Sequence, residues 1–400
     1  MVVYFARPED WIPGLAAVPL AKLTGVLMLL ALVFSFGNVR WHMPWELIFL
    51  SLLVVQLWLT VPFSPVWRGG AFHVMLDFSK MLPLVIVIYG AVRSMERLQW
   101  VLFVQAASVA AIAITSIVKA HILGGRLRGV LSGMYGNPND LAFAIDLSLP
   151  LCLALAMATR SYWKKLAWTV VMILMIYTVF RTASRAGAIT LAVVSLICLW
   201  QLGVKSRRFY LLLLIPVAVI VLWLHSGNAL RERFEQENVN LAANSQLSGS
   251  AQQRKELLIR SLEVTAQHPL FGVGPGNFPI VSRAWLVTHN SYTQISAEGG
   301  IPAFLLYILA LWRGIANLRD IRKYRKAGKR IRLFSVVLEA SLAGYLIGSF
   351  FSSVAYSLFP YCLIAYTSVL RLIARRDRTV SIRAQELHLA PALVEAPVSQ

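Results

Sequence analysis

The chain has little charge, little acid and almost no cysteine. Charged residues fill 14% of its 400 positions, roughly half the share of a soluble domain. That excludes an intrinsically disordered or ordinary soluble protein. Only 18 acidic residues stand against 38 lysines and arginines, a formal charge of +20. In a soluble protein such an excess would suggest nucleic acid, but here the basic residues separate long apolar runs, so no nucleic-acid partner is read from it. The three cysteines, Cys152, Cys198 and Cys362, all lie inside apolar runs, which excludes a secreted disulfide scaffold. No HExxH or comparable metal-ligand spacing occurs, and no Lys-Ser/Thr closes a glycine loop as in a P-loop. Neither a zinc site nor a nucleotide cofactor is indicated.

Apolar sequence is abundant, at 58%. A span needs about 20 mostly apolar residues, and eleven runs qualify: roughly 15–36, 45–62, 71–92, 98–118, 140–159, 165–180, 186–203, 209–225, 297–312, 334–353 and 356–373. The expected fold is an all-α polytopic integral membrane protein of about 11–12 transmembrane helices. The opening MVVYFARPEDWIPG lacks the basic start and apolar stretch of a cleavable signal, so the first span is expected to act as its own targeting signal. Lysine and arginine concentrate in alternate loops, with nine between Arg313 and Arg332 alone. By the positive-inside rule these loops and the C-terminus are cytoplasmic. The expected division is helices over 1–225, a large external loop over 226–296, helices over 297–373 and a cytoplasmic tail over 374–400. In that tail Arg375, Arg376 and Arg378 are placed to touch anionic lipid, and Leu387–Gln400 reads as disordered.

The external loop is nearly balanced in charge. Within it, Gln252–Gln267 sets Leu258, Leu262 and Thr265 at helical spacing, with Arg254 and Glu256 off that face. This predicts an amphipathic helix at the membrane surface. The turn Phe180–Gly187 carries Arg181 and Arg185 at the outer edge of two spans. Planar guanidinium groups suit phosphate oxygens, although snorkelling to lipid headgroups accounts for them equally simply. His268–Phe278 holds glycines at 272, 274 and 276, better read as a close-packing turn than as a phosphate loop. Thr288-His289-Asn290-Ser291-Tyr292 offers a histidine suited to general-base work near neutral pH, or a structural one. Tyr135–Asp140 reads as a turn and helix cap. Asp77 and Lys80 are spaced to pair, and with Asp146 and Glu339 they allow a transporter's or flippase's proton path as well as simple helix packing.

The order of these segments, GNPND, SRAG, a loop arginine, HPLFGVGPGNF and THNSY, resembles the O-antigen ligase and polymerase superfamily. The likeness spans roughly Arg126 to Glu298, and the topology agrees with it. It implies a bacterial inner-membrane glycosyltransferase of lipopolysaccharide biosynthesis that uses an undecaprenyl-diphosphate-linked glycan donor at the periplasmic face. The implied acceptor is a lipid A–core sugar; for a polymerase it is another carrier-linked glycan, and for a protein ligase a side chain. The chemistry implied is inverting and needs no metal or other cofactor. Carried over to this chain, the catalytic residues are Arg185, Arg254 and His289, the last as general base. Arg181, Asn137, Asn290 and Tyr292 fall to binding the diphosphate or glycan.

Overall fold

The computed structural model describes residues 1–8, 12, 14–15, 20–35, 43–123, 125–129, 135–206, 220, 224, 250–324 and 327–394. It is an all-α polytopic membrane protein. Its elements are α1 (Val2–Phe5), α2 (Leu20–Ser35), α3 (Trp45–Phe63), α4 (Arg68–Ser79), α5 (Met81–Ala91) and α6 (Met95–Lys119). A hairpin of β1 (Ile122–Leu123) and β2 (Arg126–Leu127) follows, then α7 (Pro138–Ala158), α8 (Tyr162–Arg181) and α9 (Arg185–Cys198). After these come α10 (Ser250–Gln267), α11 (Phe278–Val281), α12 (Ser291–Lys323), α13 (Lys329–Gly348) and α14 (Phe359–Val394).

Among the described residues, eight helical stretches are long and apolar enough to cross a membrane, and each coincides with one of the eleven expected runs. Of the other three, 15–36 holds α2, whose 16 residues are short for a span. The run 356–373 is the first half of α14, and 209–225 lies almost wholly outside the described residues, as does the loop up to residue 249. The expectation of disorder from Leu387 is corrected as far as Val394, because α14 continues through it. The run 71–92 is two helices that meet at Lys80.

Helix α7 is the centre of the bundle. Its apolar window is 78% buried, against 22% for α8. Small residues decide this, since without a hydrophobic drive between helices close backbone approach supplies the packing. Ala142 of α7 meets Gly187 of α9 so closely that a Cβ on Gly187 would lie 2.7 Å from the alanine's own. A Cβ on Gly348 of α13 would lie 2.2 Å from the Phe143 ring of α7, and one on Gly344 would be 2.6 Å from Val194 of α9. Helices α7, α9 and α13 are thereby locked together. The start of α9 and the end of α13 share one face of the bundle.

On the opposite, arginine-rich face, Glu46 is bonded by Asn317 and lies 3.6 Å from Arg313. Asp320 pairs with Arg371 at 2.7 Å, and Glu339 pairs with Arg322. The acids considered for an ion path have separate surroundings. Asp77 and Lys80 pair on an exposed surface, Glu339 is held by Arg322 and Gln201, and Asp146 is fully buried on α7.

Candidate active site

Local sequence fixes the ends of three helices at one cavity. Ser184 caps α9, its hydroxyl accepting the Gly187 N–H at 3.1 Å, so Arg185 becomes the first residue of that helix. Cations are disfavoured at a helix N-terminus, where the backbone dipole is positive. Asn290 caps α12 by accepting the N–H groups of Tyr292 at 2.9 Å and Thr293 at 3.2 Å. Immediately before it, His289 adopts a left-handed backbone with φ +53°, an uncommon geometry for a residue with a side chain. Thr288 brackets the turn. Its Oγ1 donates to the Asn290 carbonyl at 2.8 Å and accepts the Asn290 N–H at 3.3 Å.

The third helix is α10. It forms where the amphipathic pattern places it, but its inward face is Leu257, Ser261 and Val264, all buried, while Leu258 and Leu262 are exposed. Leu258 and Leu262, the expected membrane-facing side, thus point away from the protein core, and a second face one position earlier packs inward. Arg254, three residues before Leu257, falls on the packed side and turns toward the start of α12, to which α10 packs. Thr265 bonds Ser296 across that contact at 2.9 Å.

Arg185, Arg254 and His289 line a single cavity of about 440 Å³, together with Lys255, Asn290 and Phe350. Burial lowers the His289 pKa below the ordinary 6.5, and the Arg254 guanidinium lowers it further. Both causes favour the neutral imidazole, the form that accepts a proton. Two helix N-termini border the same cavity and add partial positive charge. The wall therefore suits a multiply charged anion with a basic imidazole beside it.

Other expected site residues lie outside this lining. Arg181 ends α8 with its guanidinium 6.0 Å from the Tyr177 ring centre. Asn137 caps α7 by accepting the Asn139 N–H at 2.9 Å. Tyr292 donates to the Leu346 carbonyl at 2.8 Å, and its ring lies 4.6 Å from that of Phe350. Arg126 joins the neighbouring segments, donating to Thr182 O at 3.0 Å and to Asn139 Oδ1 at 2.8 Å. Among the described residues, no group of three His, Cys, Asp or Glu is placed to hold a metal ion.

Sequence reading missed the segment 349–354. It was assigned to a span through residue 353, whereas α13 stops at Gly348. The freed chain folds back on the histidine motif. Ser291 N donates to Ser349 O at 2.8 Å, Ser291 Oγ donates to Ser352 O at 2.6 Å, and Val354 N donates to Ser291 Oγ at 3.0 Å. Thr288 and Ser353 hydroxyls meet at 2.9 Å. The cluster Ser349, Ser352 and Ser353 around two phenylalanines, at the end of the run, was the signal available. Lys255, hidden among the charges of an amphipathic helix, gave none.

Residues 170–308 match the family model described as O-antigen ligase. That window takes in Arg181, Arg185, Arg254 and His289, and leaves out Asn137 and the 349–354 segment. No curated protein matches the chain.

Proposed function

We propose, from the match of residues 170–308 to the O-antigen ligase family model, that the protein transfers a glycan from undecaprenyl diphosphate to an acceptor hydroxyl on lipid A–core. The transfer takes place at the periplasmic face of the bacterial inner membrane, as a step of lipopolysaccharide biosynthesis. One observation carries this reading. Arg185, Arg254 and His289, far apart in sequence, line one cavity.

The reaction breaks the bond between the anomeric carbon and the diphosphate oxygen and forms one from that carbon to the acceptor oxygen. Negative charge grows on the departing diphosphate. Guanidinium groups fixed beside that oxygen stabilise it most in the transition state, which is what accelerates the step. His289 takes the acceptor's proton, and its lowered pKa keeps the imidazole neutral for that purpose. A single displacement inverts the anomeric centre. No step is assigned to a metal, because the cations at the cavity supply the positive charge.

The test is transfer by the purified protein in lipid vesicles, with one carrier-linked donor and three acceptors in separate arms. Inverted product on lipid A–core is expected. Product on a second carrier-linked glycan instead makes the protein a polymerase, and product on a peptide makes it a protein ligase. No transfer in any arm overturns the reading.

A further inference from the structure

Phe350 and Phe351 both line the cavity that holds Arg185, Arg254 and His289, and Phe350 is 54% exposed. Aromatic rings set beside a few convergent polar groups in a concave site are the usual lining of a ligand pocket. These rings do not hang from a loose loop. Phe350 N donates to Ile347 O at 3.2 Å and Phe351 N to Gly348 O at 2.9 Å, prolonging the end of α13. Ser291 grips the residues on either side, Ser349 and Ser352. The Tyr292 ring backs Phe350. The wall is thus assembled before any ligand arrives, which reduces the ordering cost of binding.

The chemistry of the neighbours selects the occupant. The lining joins Ile189 and Leu258 to Arg185, Arg254 and Lys255, so its occupant needs an apolar face as well as polar groups. A purely apolar lipid tail would strip water from the three cations and give nothing back. A pyranose has hydroxyls around its rim and an apolar C–H face, so it satisfies polar neighbours and aromatic ring together. The negative π face also attracts polarised C–H groups.

We infer that Phe350 and Phe351 form the sugar-binding wall of the cavity, stacking on the pyranose joined to the diphosphate. This rests on the glycosyl-transfer reading above and adds to it the residues that select the sugar. Binding of two soluble probes to the purified protein by titration calorimetry tests it: inorganic pyrophosphate and a short-chain alkyl hexosyl diphosphate. The sugar-bearing probe is expected to bind more tightly. Phe350→Ala and Phe351→Ala are each expected to weaken it about three- to tenfold, the range of one aromatic contact, while pyrophosphate affinity stays within about twofold. Phe350→Tyr and Phe351→Tyr keep the stacking face and are expected to retain the affinity. The inference is overturned if the alanine variants bind the hexosyl probe as the native protein does. It is equally overturned if they lose both probes alike, since the rings would then only prop the cavity. Pyrophosphate that binds with no advantage from the sugar overturns the wall alone. Pyrophosphate that does not bind at all overturns the transfer reading and the wall with it.

Discussion

The glycine run His268–Phe278 and the segment Thr288–Tyr292 stand ten residues apart, and both look like functional motifs. Their polar groups are used differently. In the first, Val273 N and Gly274 N donate to Ala297 O and Glu298 O, both at 2.9 Å, and Ile301 N donates to Pro269 O at 2.7 Å. Asn277 Nδ2 lies within hydrogen-bond reach of Ser64 Oγ, Trp67 O and Val273 O. This loop fills the break in α12 at Gly300, where φ is +78°. In the second segment, Thr288, Asn290 and Ser291 build a rigid turn, and the His289 side chain is left at the cavity. On the proposed function, the first loop is architecture, and the second segment, which leaves an ionisable side chain at the cavity, is machinery.

The largest contrast is expected between arginine and glycine variants. Arg185→Ala and Arg254→Ala should each lower turnover about 10²–10³-fold, the usual loss for a charge-stabilising group, with little change in melting temperature. Gly272→Ala should do the reverse. Its φ is +61° and its Cβ would lie 2.4 Å from the Glu298 backbone, a strain of about 1–3 kcal/mol. The melting curve should fall while turnover per folded molecule holds. A Gly272→Ala protein that melts normally yet transfers nothing would place the glycine run in the machinery and dissolve the distinction.

A subtler separation comes from pH. The His289 pKa is lowered from 6.5, so the neutral base is present above that value and is lost as pH falls through the lower one. The rate profile should be flat near pH 7, with its acid limb centred below 6.5 and falling about tenfold per unit. Any residual activity of Arg254→Gln should have that limb shifted upward, because one lowering cause is gone. A limb centred above 6.5 in the native enzyme would speak against the histidine. The smallest effect is expected at Arg181. It lies beside Tyr177 and outside the cavity lining, so Arg181→Ala should change turnover by less than about threefold.

The spans were legible because about 20 apolar residues in a row rarely serve anything but a membrane crossing. Arg185, Arg254 and His289 stand out together only through the order of motifs that resembles the ligase and polymerase superfamily, and the structure sets all three at one cavity. Arg185 opposes a helix dipole, and His289 sits in a turn between polar caps. Other features were hidden for physical reasons. The face of α10 turned inward, Leu257, Ser261 and Val264, depends on its partner α12, and hydrophobic spacing brought out only the outward face of Leu258 and Leu262. The end of α13 at Gly348 is set by hydrogen bonds from Ser291, some 60 residues away in sequence, so span-length reasoning ran past it. Asn137 was correctly read as a helix cap, and that role uses its side-chain oxygen.

The most direct measurement is release of carrier diphosphate by His289→Ala, reconstituted with a carrier-linked glycan donor and acceptor and compared with the native protein at equal folded concentration. A loss of about 10²–10⁴-fold at pH 7, with the melting temperature unchanged, is the expected result. Native turnover in a folded His289→Ala protein would show that the cavity at Arg185 and Arg254 is not where the sugar changes hands.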